Sequence, residues 1–267
     1  MKPATPIEQM IITAARLIPD GSVLLVGTQW PIIVSFLAKG LHAPNCIPCV
    51  EGGVIFGKIP DRIPLYTADP VVNSSSVLLG DSLDTLGMIL HRGLADFGIL
   101  SAASVDRYGN INTTCIGDYS APKIRFGGSG GACDFGSLAA KTIIILEHEK
   151  RRFPEKVDFI TTPGYLQGND SRIKAGLRKG TGPFAVVTTL GLFHFDDSGE
   201  MILAAYHPSA SVKEVKENMQ WDLKVADGVR PLDPPTEWEL EILREKIDPL
   251  GMYVDGVRML KGKKIEI

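Results

Sequence analysis

Apolar positions recur at helical spacing near the start of the chain. In Pro6 to Leu17 (P-I-E-Q-M-I-I-T-A-A-R-L) they predict an amphipathic helix, ended by Pro19-Asp20-Gly21. Ser22 to Val26 reads as a short buried strand, followed by the turn Gly27-Thr28-Gln29. Pro31 to Lys39 is a second predicted helix, with proline in its first turn and Gly40 after its end. Asn45 to Val50 is a strand, and Glu51-Gly52-Gly53 follows it directly. Strand, helix and strand with a glycine loop at the last strand's carboxyl end form a βαβ unit. Such a unit implies a parallel sheet with its active edge beyond the strand ends.

The pattern continues in this manner. Thr85 to Arg92 reads as a helix and Leu94 to Ser101 as a strand. Lys141 to Leu146 and Val157 to Thr161 are compact β-branched runs of the kind that form central strands. Phe184 to Thr188, Gly191 to Phe195 and Met201 to Tyr206 predict a small β extension, with Asp196-Asp197-Ser198-Gly199 as a hairpin turn. Ser211 to Asn218 and Glu237 to Ile247 are helices, the latter capped by Thr236 and ended by Asp248-Pro249. The expected fold is α/β, an open and mostly parallel sheet flanked by helices, with residues 1–267 as a single domain. No internal repeat or low-complexity segment interrupts it.

Composition narrows the function. The 267 residues are 44% hydrophobic and 22% charged, with a net charge of −3, which suits a soluble globular chain. The basic runs Lys150-Arg151-Arg152 and Lys261 to Lys264 are short, so neither nucleic acid nor an anionic membrane is expected as a partner. The longest apolar runs, such as Ile32 to Ala38, are too short to cross a bilayer, and no signal peptide is visible. A cytoplasmic location is expected, with the four cysteines reduced. Cys46-x-x-Cys49 lacks the second ligand pair of a structural zinc site, so no metal is expected and these thiols read as small buried residues.

Three loops carry candidate chemistry. In Val50-Glu51-Gly52-Gly53, an acid leaves an apolar strand ahead of two glycines that admit a close substrate approach. Gly127-Gly128-Ser129-Gly130-Gly131 precedes Ala132-Cys133-Asp134; its backbone N–H groups can converge on a phosphate or an oxyanion. It is neither a Walker A loop nor G-x-G-x-x-G, since Cys133 stands where the last glycine belongs. Asp106-Arg107-Tyr108-Gly109-Asn110-Ile111-Asn112 suits a turn in which Asn110 or Asn112 donates to a carboxylate or carbonyl. His148 and Glu149 are chain neighbours and do not share a helix face, so a structural role is expected for them.

These stretches together resemble a known family. Ala43-Pro44-Asn45 leading to Val50-Glu51-Gly52-Gly53, Asp106 to Asn112 with Ile116-Gly117-Asp118-Tyr119, and Pro122 to Phe126 match in order. So do Gly128-Ser129-Gly130-Gly131-Ala132, His148 to Phe153, Leu203-Ala204-Ala205-Tyr206 and Ile247-Asp248-Pro249. The pattern resembles the beta subunits of family I CoA-transferases of the glutaconate type, over nearly the whole chain. The resemblance implies a NagB-like fold and a homologous alpha subunit as partner, giving a heterodimer or larger assembly. It implies transfer of CoA between an acyl-CoA and a carboxylic acid, such as a glutaconate-like dicarboxylate or acetate, with CoA as substrate and no cofactor. It implies Glu51 as the nucleophile and the N–H of Gly131, with Ala132, as oxyanion donor. Gly52, Gly53, Asn110, Asn112 and Gly130 are then expected around the substrate, with Asp118 and Tyr119 near the site. The chain departs in one place, carrying Gly52 where the family has serine or asparagine after the glutamate. The same scaffold hosts CoA-ester decarboxylases and ring-opening C–C hydrolases, in which that glutamate is absent or displaced. A non-catalytic partner subunit is the remaining alternative.

Overall fold

Thr5 and Glu8 start the first helix. The Thr5 hydroxyl accepts the Glu8 N–H at 3.2 Å, and the Glu8 carboxylate accepts the Thr5 N–H at 2.8 Å. This reciprocal cap satisfies two N–H groups that a helix start leaves unpaired. Helix α1 runs Pro6–Arg16 and buries Met10, Ile11, Ile12, Ala14 and Ala15. A computed structural model describes residues 2–66 and 69–254 of the chain. The basic run Lys261 to Lys264 lies outside the described residues.

The ten strands of the main sheet are β1 (Val23–Val26), β2 (Ile47–Val50), β3 (Val54–Phe56), β4 (Ser76–Leu79) and β5 (Phe97–Ser101), then β6 (Lys141–Leu146), β7 (Gly182–Thr188), β8 (Gly191–Phe195), β9 (Met201–Tyr206) and β10 (Lys224–Pro231). Their order is β10-β9-β8-β7-β6-β5-β1-β2-β3-β4. The central strands β2, β1, β5, β6 and β7 are all parallel. β3 and β4 add antiparallel strands at one edge, and β8 and β9 do so at the other. The expected β extension therefore continues the main sheet.

Alternation along the strands divides the core. Leu24, Val26, Ile143 and Ile145 face α1 and helix α2 (Trp30–Leu41) in one buried cluster. Leu25, Cys49, Ile144 and Leu146 face the opposite cluster, with Phe135, Phe153 and Phe193. Residues covered on both faces explain why the central strands read as continuous apolar runs. Phe135 belongs to helix α3 (Ala132–Leu138), which puts α3 on this second face.

Two expectations need correcting. Gly40 does not follow α2; the helix runs through it to Leu41. A side chain at Gly40 would sit 3.3 Å from Ile242 and 3.4 Å from Ile59, so its smallness admits packing neighbours. Val157 to Thr161 is not a central strand. Asp158 and Ile160 are exposed, and the segment's end pairs with Ile111: the Thr161 N–H donates to the Ile111 carbonyl and the Ile111 N–H to the Thr162 carbonyl. Its β-branched residues serve a small layer beside the hairpin Ser104–Val105/Ile111–Asn112. No helix among the described residues is long and apolar enough to cross a membrane.

His148 is structural. It stacks on Phe153 at 4.6 Å and Phe193 at 5.7 Å. Its Nε2 lies 3.3 Å from the Val215 carbonyl, which only accepts, so that nitrogen carries the proton. Burial pulls its pKa down to about 4, with the Val215 hydrogen bond opposing weakly. Burial lowers His207 as well. Below an unfolded-state pKa near ~6.5 the unfolded chain takes up a proton that native His148 refuses. Stability is therefore lost as pH falls from there toward 4, at ~1.4 kcal/mol per pH unit for this one group. Denaturant midpoints of wild type and His148→Gln, measured at pH 6.5 and 5, should show about 2 kcal/mol less acid sensitivity in the variant. Equal slopes would contradict the assignment.

Candidate active site

Glu51 sits at the tip of a hairpin. β2 and β3 pair antiparallel at Val50–Val54, and the Gly53 N–H closes the loop onto the Val50 carbonyl at 3.1 Å. Gly53 takes φ +96°, which a three-residue hairpin loop asks of its last residue. A side chain there would run into the backbone of Gly80 and Asp81, and the Gly80 N–H donates to the Gly53 carbonyl at 2.9 Å. From behind, the fully buried Thr85 donates its hydroxyl to the Glu51 carbonyl at 3.1 Å. Thr85 stands on the π-type helix Leu83–Leu90, a wide geometry often associated with functional sites.

Strand register aims the carboxylate. Cys49 points into the cluster that contains Phe135 of α3. Two residues on, period two sends Glu51 to the same face, just beyond the sheet. There it meets the glycine loop. Gly128 and Gly130 take φ +89° and +48°. The Gly128 N–H donates to the Thr113 carbonyl, and the Thr113 hydroxyl returns a bond to the Gly128 carbonyl at 2.8 Å. Ser129 accepts the Cys133 N–H on its hydroxyl at 2.9 Å and so caps α3. The Gly131 N–H, at the helix start, donates to Glu51 Oε2 at 2.6 Å. A side chain on Gly131 would lie 2.5 Å from that same oxygen. Glycine here is a steric requirement of the carboxylate.

The structure thus brings together Glu51, Gly130 and Gly131. Gly52 is exposed in the turn, and Gly53 is a buried packing glycine. Ala132 does not offer a second donor, because its N–H is bonded to the Ser129 carbonyl at 3.0 Å. Asn110 and Asn112 are each 1% exposed and turned inward, contrary to the expected role as substrate donors. The Asn110 amide donates to Asp106 and to the Leu166 carbonyl, and its oxygen accepts from Gly164 and Leu166. Asn112 donates to the Cys115 carbonyl and accepts from Thr114 and Cys115. Both build turns. Asp118 accepts from Ser120 in an exposed loop, where Tyr119 stacks on Phe159 and under Arg125.

Neither Cys46 nor Cys49 competes as a nucleophile. Burial pushes the Cys46 thiol up to about 11 and Cys49 to about 12, so both stay protonated at neutral pH. Among the described residues no cluster of three or more His, Cys, Asp or Glu is placed to hold a metal. A surface cavity of about 940 Å³ is lined by residues including Asp106, Tyr108, Asn110, Lys156, Leu166 and Ser171; Glu51, Gly130 and Gly131 are not in its lining. Thr85 is the neighbour of Glu51 that sequence reading missed, and the cap by Ser129 within the quoted glycine loop was not foreseen. A threonine in a helix and a serine among glycines carry no signal of what they touch.

The family model described as coenzyme A transferase matches residues 7–218. The chain is 37% identical over 252 residues to one subunit of the glutaconate CoA-transferase of Acidaminococcus fermentans, covering 92% of this chain and 94% of that one. The crystal structure of that transferase superposes with a TM-score of 0.88 at 35% identity, covering 94% of this chain and 97% of that chain. The chain is also 37% identical over 238 residues to one subunit of the 3-oxoadipate CoA-transferase of Pseudomonas knackmussii, covering 89% and 91%. A subunit of the cholesterol ring-cleaving hydrolase of Mycobacterium tuberculosis is more distant, at 27% over 60% of this chain and 63% of its own. A ten-stranded sheet of matching fold, a family match over most of the length, and a glutamate held by a glycine loop agree: this chain belongs to the coenzyme A transferase family.

Proposed function

We propose that this chain is the nucleophile-bearing half of a CoA-transferase, moving CoA between an acyl-CoA and a carboxylic acid through Glu51. The observation that carries this reading is the 2.6 Å hydrogen bond from the Gly131 N–H to Glu51 Oε2. A carboxylate nucleophile attacks without the help of a general base. With Oε2 held, Oε1 is left to attack the thioester carbonyl. Collapse of that adduct expels CoA thiolate and leaves a mixed anhydride in which Oε2 is Glu51's own carbonyl oxygen. The thiolate then adds to the Glu51 Cδ, and the negative charge develops on Oε2. Gly131 is already at hydrogen-bond distance from that atom. Collapse releases the donor acid and leaves a glutamyl-CoA thioester, which the acceptor acid resolves by the same steps reversed.

This refines the oxyanion role expected of Gly131. Its N–H serves the adducts at the Glu51 carbon, where one aligned donor is worth roughly 2.7–4 kcal/mol. Retained thiolate beside the anhydride makes the second attack effectively intramolecular. CoA is substrate, and no separate cofactor enters these steps. Both transferase relatives are named as single subunits of larger enzymes, which supports a second, homologous subunit as partner here. The single sheet from β10 to β4 supports one domain for the whole chain. The acid class is a glutaconate-like dicarboxylate, exchanged against an acid such as acetate; the Acidaminococcus fermentans relative supports the former.

Incubating the complex with acyl-CoA and then hydroxylamine should inactivate it, with mass spectrometry placing a hydroxamate on Glu51. Glu51→Gln should lower transfer at least about a thousandfold. Full transfer by Glu51→Gln would end the proposal, and an unlabelled Glu51 would point to a decarboxylase or hydrolase. Gly131→Ala keeps the N–H but crowds Oε2; kcat should fall on the order of a hundredfold with little change in Tm. Thr85→Val leaves the Glu51 carbonyl without its donor and should cost about tenfold in kcat, which Thr85→Ser restores.

A further inference from the structure

A guanidinium keeps its proton inside a protein, so a buried arginine is a buried charge. Arg172, in the short helix Ser171–Lys174, is 2% exposed. It donates to the carbonyls of Pro163 at 3.1 Å, Gly164 at 2.9 Å and Gly136 at 2.7 Å, and to the Thr181 hydroxyl at 3.2 Å. None of these acceptors is a carboxylate, and its Nε is buried with no hydrogen-bond partner among the described residues. Neutral side chains staple loops at a lower desolvation cost. A charge retained here needs a reason beyond cross-linking.

The Gly136 carbonyl supplies one. It lies in the last turn of α3, among the carbonyls that have no partner within the helix. Arg172 caps that end. The first residue of the same loop-helix unit, Gly131, holds Glu51, roughly 7.5 Å away along a helical rise. Cation at the carbonyl end and carboxylate at the N–H end both suit the peptide dipoles between them. α3 is also wedged from the sides. A side chain on Gly136 would strike Thr162, and one on Gly98 would sit 3.1 Å from Phe135. Close packing on these sides limits lateral movement of α3, and Arg172 adds a side-chain hold at its carbonyl end, next to the Ala140 N–H bond to the Ala95 carbonyl.

We propose that Arg172 is a positioning residue for Glu51, holding α3 through the Gly136 carbonyl and thereby holding the Gly131 N–H against the carboxylate. The inference rests on Glu51 acting as nucleophile.

The test uses the complex reconstituted with its partner. Arg172→Met should lower kcat for CoA transfer at least tenfold per folded enzyme, with KM changed less than threefold and the hydroxylamine-trapping rate at Glu51 lowered in parallel. Arg172→Lys, which keeps the charge, should recover part of that loss. Thr181→Val breaks only the loop side of the network; it should lower Tm while leaving kcat within twofold. Arg172→Met with wild-type kcat per folded enzyme would overturn the inference, as would Thr181→Val losing as much kcat as Arg172→Met. If Arg172→Met does not fold, the crystal structure of Arg172→Lys decides: an unmoved α3 with unchanged Gly131–Glu51 contact and lowered kcat would overturn it equally. Inactive Glu51→Gln with fully active Arg172→Met would refute this role alone, leaving the nucleophile in place.

Discussion

One hydrogen bond joins two parts of the chain that are 80 residues apart: the Gly131 N–H to the Glu51 carboxylate. The rest of the site exists to make that distance 2.6 Å. β2 delivers the glutamate at its carboxyl end. α3 runs back along the sheet to the start of β6, which leaves its first residue at the same carboxyl edge. β1 and β5 stand between β2 and β6, so the bond spans the middle of the parallel sheet. Because strand side chains alternate, a slip of one residue in β2 would turn Glu51 toward α1 and α2, away from every N–H of the glycine loop.

The same strand shows how position decides chemistry. Cys49 and Glu51 point the same way, two residues apart. Cys49 is inside the sheet, against Leu25 and Phe135, and burial pushes its thiol up to about 12. Glu51 lies past the last ladder pair at the tip of the hairpin and receives the Gly131 N–H. The intrinsically better nucleophile is the silent one, because the thiolate is the reactive species and the core suppresses it.

Much of this was legible in the residues. Helical spacing gave α1, the βαβ unit gave the parallel sheet, and an acid before two glycines at a strand end marked Glu51. What failed to show was the identity of partners. Asn110 and Asn112 look like free donors in a string of letters, but only the fold reveals that Asp106 and the Leu166 and Cys115 carbonyls have taken their N–H groups. Gly40 looks like a helix stop, because glycine is enriched there. Tertiary packing of Ile242 and Ile59 overrides that preference. Thr85 is invisible for the same reason: its role is a bond to a carbonyl 34 residues earlier, and periodicity carries no information about it. Local pattern finds elements and strand ends, whereas long-range polar pairing needs the folded chain.

An acyl anhydride survives only where water is kept out. In this chain Glu51 is half-buried, while Gly52 and Gly130 beside it are exposed. Gly131 binds the carboxylate through its N–H, while Thr85 holds the Glu51 backbone carbonyl. The glycines cannot be exchanged for bulkier side chains to cover the carboxylate, since a single methyl on Gly131 would sit 2.5 Å from Oε2. The features that bring the backbone close to Glu51 thus limit how far this chain can cover that carboxylate. In the proposed reaction, dryness comes from the bound substrates and a second protein surface.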